Sequence, residues 1–168
     1  MTSNFTHLSL HREDAKLVFL AVAYHLGRPG SELDPMTKQP VEHGLAEVAR
    51  DLQPQLKLAT ATIGLNPGQV TRLTSAMLGA VTELKAYPML ELRGEGAPKS
   101  TVAGFDGTLR HLFPEVEEDV ENAIDIAERM VMLRRRLGEE LGTRRPAADT
   151  PAPAVPEKMR GLWPFRRG

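Results

Sequence analysis

The chain has 168 residues, no cysteine, and a net charge of −1 from 21 basic and 22 acidic residues. Without cysteine there are no disulfides, no thiolate metal sites and no cysteine nucleophile, which fits a reducing compartment. From Thr143 onward six basic residues stand against two acids, a net of +4, so the preceding body keeps 15 basic and 20 acidic residues, a net of −5; such a body repels nucleic acid and anionic membranes on average, while the tail attracts either.

The N-terminal ten residues lack a basic segment followed by an apolar one, so no secretion signal is expected. The longest apolar run, Leu17 to Tyr24, is eight residues, against roughly 20 needed to span a bilayer. A soluble, cytoplasmic protein is the expectation. An apolar share of 41% supports one core, and an aromatic share of 5% makes it aliphatic.

The first predicted helix runs from Ser9 to Leu26, with Ser9 as N-cap, Glu13 and Asp14 in the early turns, and Gly27 with Pro29 as the stop. Its stretch from Leu17 to Tyr24 has no polar face and should be buried nearly all round. A loop from Gly30 to Gln39 follows, with Asp34-Pro35 as a turn signal. The second helical stretch opens near Pro40. Val41, Leu45, Val48, Leu52, Leu56, Ala59 and Ile63 step by three and four as far as Gly64, and Pro54 kinks or splits the stretch. Asn66-Pro67 caps and opens a third helix, striped by Val70, Leu73, Met77, Val81 and Leu84 and closed by Tyr87-Pro88. Met89 to Leu92 and Ser100 to Phe105 flank a loop, from Arg93 to Lys99, and read as a short β-hairpin or an ordered loop.

The last predicted helix runs from Pro114 to Leu141. Phe113, Val116, Val120, Ala123, Ala127, Met130, Leu137 and Leu141 follow a 3,4 spacing that only Arg134 interrupts, with acids crowding its start and Arg134, Arg135 and Arg136 near its end. Ile124, Ile126, Val131, Met132 and Leu133 widen the apolar stripe past one face. One face is expected to meet the body and the other a second subunit, with Val131, Leu133 and Leu137 as the self-association residues. Residues 143–157 form a Pro/Ala-rich linker that cannot build a core and should stay disordered. Residues 158–168 form a basic-aromatic tip in which Leu162, Trp163, Phe165, Arg166 and Arg167 are the candidate contacts. Trp and Arg are typical anchors in a partner's pocket. An anionic membrane surface, or the protein's own body, is the competing destination.

Chemistry is sparse. His7 and His11 are four apart but lack the His-Glu-x-x-His context of paired zinc ligands, and His25, His43 and His111 are isolated. Glu117, Glu118, Glu121, Asp125 and Glu128 read as a solvated helix start rather than a metal centre. No Gly-rich phosphate loop or nucleophile elbow is present. No catalytic residue, cofactor or metal is expected.

One segment offers a resemblance. A helix ending at Gly64, the turn Leu65-Asn66-Pro67-Gly68, and then Gln69-Val70-Thr71-Arg72-Leu73 resembles the helix-turn-helix of winged-helix regulators, with the hairpin as the wing. The resemblance implies that Gln69, Thr71, Arg72 and Ser75 face the major groove and that the last helix dimerises. The acidic body supplies little of the phosphate attraction that DNA binding uses. The expected architecture is therefore a mainly α single domain of four or five helices over residues 1–142, with one short β-hairpin or ordered loop and a disordered C-terminal tail. The expected function is a non-enzymatic adaptor or assembly protein, homo-oligomeric through its last helix and docking a protein partner through its C-terminal peptide. A winged-helix DNA-binding transcriptional regulator is the alternative, and a metal-dependent helical-bundle enzyme comes third.

Overall fold

Polar and apolar residues alternate from Thr6 to His11, and this period of two builds a strand, β1 (Thr6–His11), with Leu8 and Leu10 turned into the core. The structure, a computed structural model, describes residues 5–91 and 100–143. Helix α1 (Arg12–Leu26) follows directly, with His11 rather than Ser9 at its N-cap. Ser9 instead sits on the outer face of β1, so the expected helix start moves by three residues. The rest of α1 behaves as its composition requires: Val18, Leu20, Ala21 and Val22 are fully buried. It packs against both strands and against four other helices, which is why its stretch from Leu17 to Tyr24 has no polar face.

The second helical stretch is shorter than its apolar spacing suggests. Pro40 and Val41 belong to a loop in which Pro40 bridges Leu33, and α2 spans Leu45–Leu52. A 3₁₀ turn at Gln53–Gln55 takes up Pro54, so the proline splits the stretch rather than kinking it. Beyond it the chain is not helical. Thr60–Leu65 is a second strand, β2, antiparallel to β1 with Ser9 opposite Thr62. Ala61, Ile63 and Leu65 point inward, while Thr60 and Thr62 face out. The step from Ala59 to Ile63 fits a helix in isolation, but the alternation of Thr60-Ala61-Thr62-Ile63 is what the fold uses.

Helix α3 (Pro67–Glu91) begins where Asn66-Pro67 signals it and runs on through Pro88. Met89 is therefore helical, and residues 100–104 form turns that lead into α4 (Phe105–Leu112) at Gly104, whose φ of 76° suits glycine. Of the segment expected as a hairpin or an ordered loop, Met89 and Phe105 are helical and residues 100–104 are turns, while residues 92–99 lie outside the described residues; the antiparallel pair joins β1 and β2. The predicted last helix is broken in two: α5 (Glu115–Glu118) and α6 (Asn122–Thr143). Asp119 between them is extended, its carboxylate accepts the Glu121 N–H at 2.9 Å, and Asn122 Nδ2 donates to the Glu115 carbonyl at 2.8 Å. Five acids over seven residues repel along a helix, and Asp is a turn former, so the break falls where charge is densest.

The architecture is mainly α, with six helices around one aliphatic core and a single strand pair among the described residues. Its widest helix contact joins α3 and α6, and α1 packs closely on α3 as well. That approach is close: a Cβ on Gly79 of α3 would strike the ring of Tyr24 of α1.

Candidate functional site

The start of α3 decides the helix-turn-helix resemblance. Asn66 and Gln69 form a reciprocal capping box: the Gln69 N–H donates to Asn66 Oδ1 at 2.8 Å, and the Asn66 N–H donates to Gln69 Oε1 at 3.0 Å. Gln69 Nε2 also donates to the Gly44 carbonyl at 3.2 Å, and the residue is 2% exposed. It is a structural tie, not a side chain free to read a groove. The helix that the resemblance needs before Leu65 is strand β2, so the motif is absent in structure although its letters are present in sequence.

Thr71, Arg72 and Ser75 do share a surface, but with residues the sequence kept separate. Together with His25, Arg28 and Ser31 they line a cleft of about 390 Å³ between α3 and the loop after α1, walled in part by Pro29, Leu33 and Pro35. The Arg28 guanidinium lies 5.7 Å from the centre of the Tyr24 ring. His25, largely buried, has Nε2 at 2.7 Å from Glu32 Oε1. Glu32 also accepts the Leu45 N–H at 3.2 Å and the Ala46 N–H at 3.3 Å, so it caps α2 from outside the helix. A side chain at Gly44 would displace the Glu32 carboxylate from this position.

On α6 the self-association residues separate. Leu133 and Leu137 are buried within the single chain, while Val131 is 45% exposed and Met132 67%. The wide apolar band is thus largely consumed by the monomer's own core, and Leu133 and Leu137 are corrected from interface to core. What remains outside is a narrower stripe. Ile124, Val131 and Gly138 recur every seven residues, Ile124 and Val131 are exposed, and nothing lies within 4 Å of where a Cβ on Gly138 would be. Arg134 Nε reaches across to the Thr74 carbonyl of α3 at 3.1 Å, which places exposed Leu78, one turn beyond Thr74, on the Val131 side of the α3–α6 seam. The opposite flank of α6 is tied to α1 by Arg129–Glu13 at 3.0 Å and Arg136–Asp14 at 2.5 Å. The Lys16 and Arg129 cations beside Glu13 hold its carboxyl below the usual carboxylate range.

Sequence reading missed a half-buried polar chain. Tyr87, fully buried, donates its hydroxyl to Asp106 Oδ1, and Arg110 Nε donates to the same oxygen at 3.1 Å. Burial, then the bond to Asp106, pushes the phenol well above its ordinary range. Glu83 nearby accepts the Ser100 hydroxyl at 2.6 Å and the Thr101 N–H at 3.1 Å. These bonds clamp α4 and the turn before it onto α3. Only the i, i+4 spacing of Asp106 and Arg110 was visible beforehand.

Among the described residues no group of three or more His, Asp or Glu side chains converges as a metal site requires, and no helix is long and apolar enough to cross a membrane. Leu162, Trp163, Phe165, Arg166 and Arg167 lie outside the described residues. No family model matches the chain, and neither a curated protein nor a solved structure matches it.

Proposed function

We propose that the protein is a non-enzymatic, cytoplasmic adaptor or assembly module that dimerises through α6 and presents its C-terminal segment to a protein partner. The observation that carries this reading is the stripe of Ile124, Val131 and Gly138, left outside after Leu133 and Leu137 have been taken into the core. A two-fold axis beside Val131 sets two α6 helices antiparallel. Ile124 of each copy then meets the bare Gly138 of the other, the two Val131 side chains touch, and Glu128 lies opposite Arg135. Such a contact is self-complementary in shape and charge, as an isologous interface requires. The basic-aromatic tip supplies the docking element, and two copies of it on one dimer give avidity.

Sedimentation of the full chain tests the dimer. Wild type is expected to be dimeric at micromolar concentration, Val131→Lys monomeric and still folded, and Glu128→Arg weakened. Adding Arg135→Glu to Glu128→Arg should restore association by exchanging the charges across the axis. A wild-type monomer at high micromolar concentration, with helical content intact, overturns the reading.

A further inference from the structure

The cleft beside α3 carries an inference independent of the dimer. It holds two guanidinium groups, Arg28 from the loop after α1 and Arg72 from α3. Among the described residues neither is engaged by a hydrogen bond or a carboxylate at ion-pair distance; Arg28 is braced only by the Tyr24 ring. The two acids nearby are occupied. Glu32 is turned to His25 and to the first N–H groups of α2. Asp34 accepts the Met36 N–H at 2.9 Å, the Thr37 N–H at 2.7 Å and the Thr37 hydroxyl at 3.1 Å. Ser31 and Ser75 line the same cleft, and among the described residues neither hydroxyl makes a hydrogen bond, so both are available as donors. The Thr71 hydroxyl is committed to the Pro67 carbonyl at 3.1 Å.

We propose that this cleft binds a small phosphate monoester, its phosphate held between Arg28 and Arg72 with the Ser31 and Ser75 hydroxyls as additional donors. Two guanidinium groups without a hydrogen-bonded carboxylate, Arg72 feeling only the charge of nearby Asp34, match a dianion better than the single charge of a carboxylate. A tetrahedral group also offers oxygens in enough directions for two guanidinium forks and two hydroxyls. The volume of about 390 Å³ falls in the range of small-molecule sites, about 300–1,000 Å³, and is roomier than bare phosphate needs. Pro29, Leu33 and Pro35 give the organic part of the ester an apolar wall. Thr71, Arg72 and Ser75, which the helix-turn-helix resemblance would turn to the major groove, thus line a concave site suited to one phosphate.

The test is an amide-resolved NMR titration of the full chain with inorganic phosphate, with glycerol phosphate and phenyl phosphate, and with glycerol and phenol as controls. Saturable shifts are expected at Arg28, Ser31 and Thr71 to Ser75 with each phosphate, tighter for an ester than for inorganic phosphate and absent for the alcohols. Arg28→Ala and Arg72→Ala should each weaken binding by at least about tenfold without changing the unfolding temperature of the unliganded protein. Arg50→Ala, an exposed arginine on α2, should leave it unchanged. Wild-type affinity in the Arg28→Ala/Arg72→Ala double variant overturns the site, as does a lack of saturation at millimolar phosphate. Esters binding no tighter than inorganic phosphate overturn the ligand class. Should either single variant unfold, Arg28→Lys and Arg72→Lys, which keep charge but lose the fork, are expected to lose most of the preference for ester and still report on the site.

Discussion

Tyr87 is the largest fully buried side chain among the described residues, and its hydroxyl is kept only because Asp106 and Arg110 are there to meet it. A buried polar group without a partner is costly, whereas a satisfied one fixes geometry. Tyr87→Phe removes the donor and leaves Asp106 with Arg110, so a loss of about 1–2 kcal/mol is expected in denaturant unfolding. The pH dependence follows from the raised phenol pKa. A group whose folded-state pKa lies above its unfolded value contributes stability that is fully present below the unfolded value, near 10 for tyrosine. That contribution is lost as pH rises through the folded value. Wild type should therefore lose stability on the alkaline side more steeply than Tyr87→Phe, and tyrosinate absorbance from Tyr87 should appear only with unfolding. An alkaline profile identical in the two proteins would mean the hydroxyl is not held as the structure has it.

At the scale of elements, the strand pair shows where local reading fails. The alternation of His7-Leu8-Ser9-Leu10-His11 was in the sequence, yet Ser9 before Glu13 and Asp14 looked equally like a helix cap. Only the pairing of β1 with β2, some fifty residues on, decides between them, and no window on one strand contains its partner. The same holds for β2, whose Ile63 continued a helical spacing from Leu52 and Leu56. Asn66-Pro67, by contrast, was legible because a capping box is local, although Gln69 was assigned to DNA when its spacing from Asn66 already marked it as the box's second member. The cleft was not legible at all, since Arg28 and Arg72 meet only through tertiary packing. Gln55 is a further long-range device. Its amide donates to the Thr62 carbonyl at 3.1 Å and accepts the Thr62 N–H at 2.9 Å. Both backbone groups therefore point away from β1, and the side chain stands in for a neighbouring strand on the outer edge of β2. Gln55→Ala should cost about 1–2 kcal/mol and speed hydrogen exchange at Thr62 far more than at Ile63, whose N–H faces β1. Unchanged exchange at Thr62 would show that the edge is protected by something else.

For the whole molecule, the dimer reading ties stability to concentration. If folded chains pair through α6 and unfolded chains do not, mass action stabilises the fold as protein concentration rises. Each tenfold increase above the dissociation constant is worth about 1.4 kcal/mol per dimer, hence about 0.7 kcal/mol per chain. For a body of this size that shifts the unfolding temperature by roughly 2–4 °C. Val131→Lys should abolish the slope, because it buries a charge against its symmetry mate, yet cost little at low concentration since Val131 is already half-exposed in the single chain. A chain ended after Thr143 should keep the full slope, because Ile124, Val131 and Gly138 all lie within it, while losing whatever partner the tip containing Trp163 captures. These two variants divide the proposal cleanly. A flat slope in wild type removes the dimer and leaves the phosphate cleft untouched, since none of the cleft's residues lies on α6. A slope that survives Val131→Lys but vanishes on truncation would move self-association from the helix to the tail.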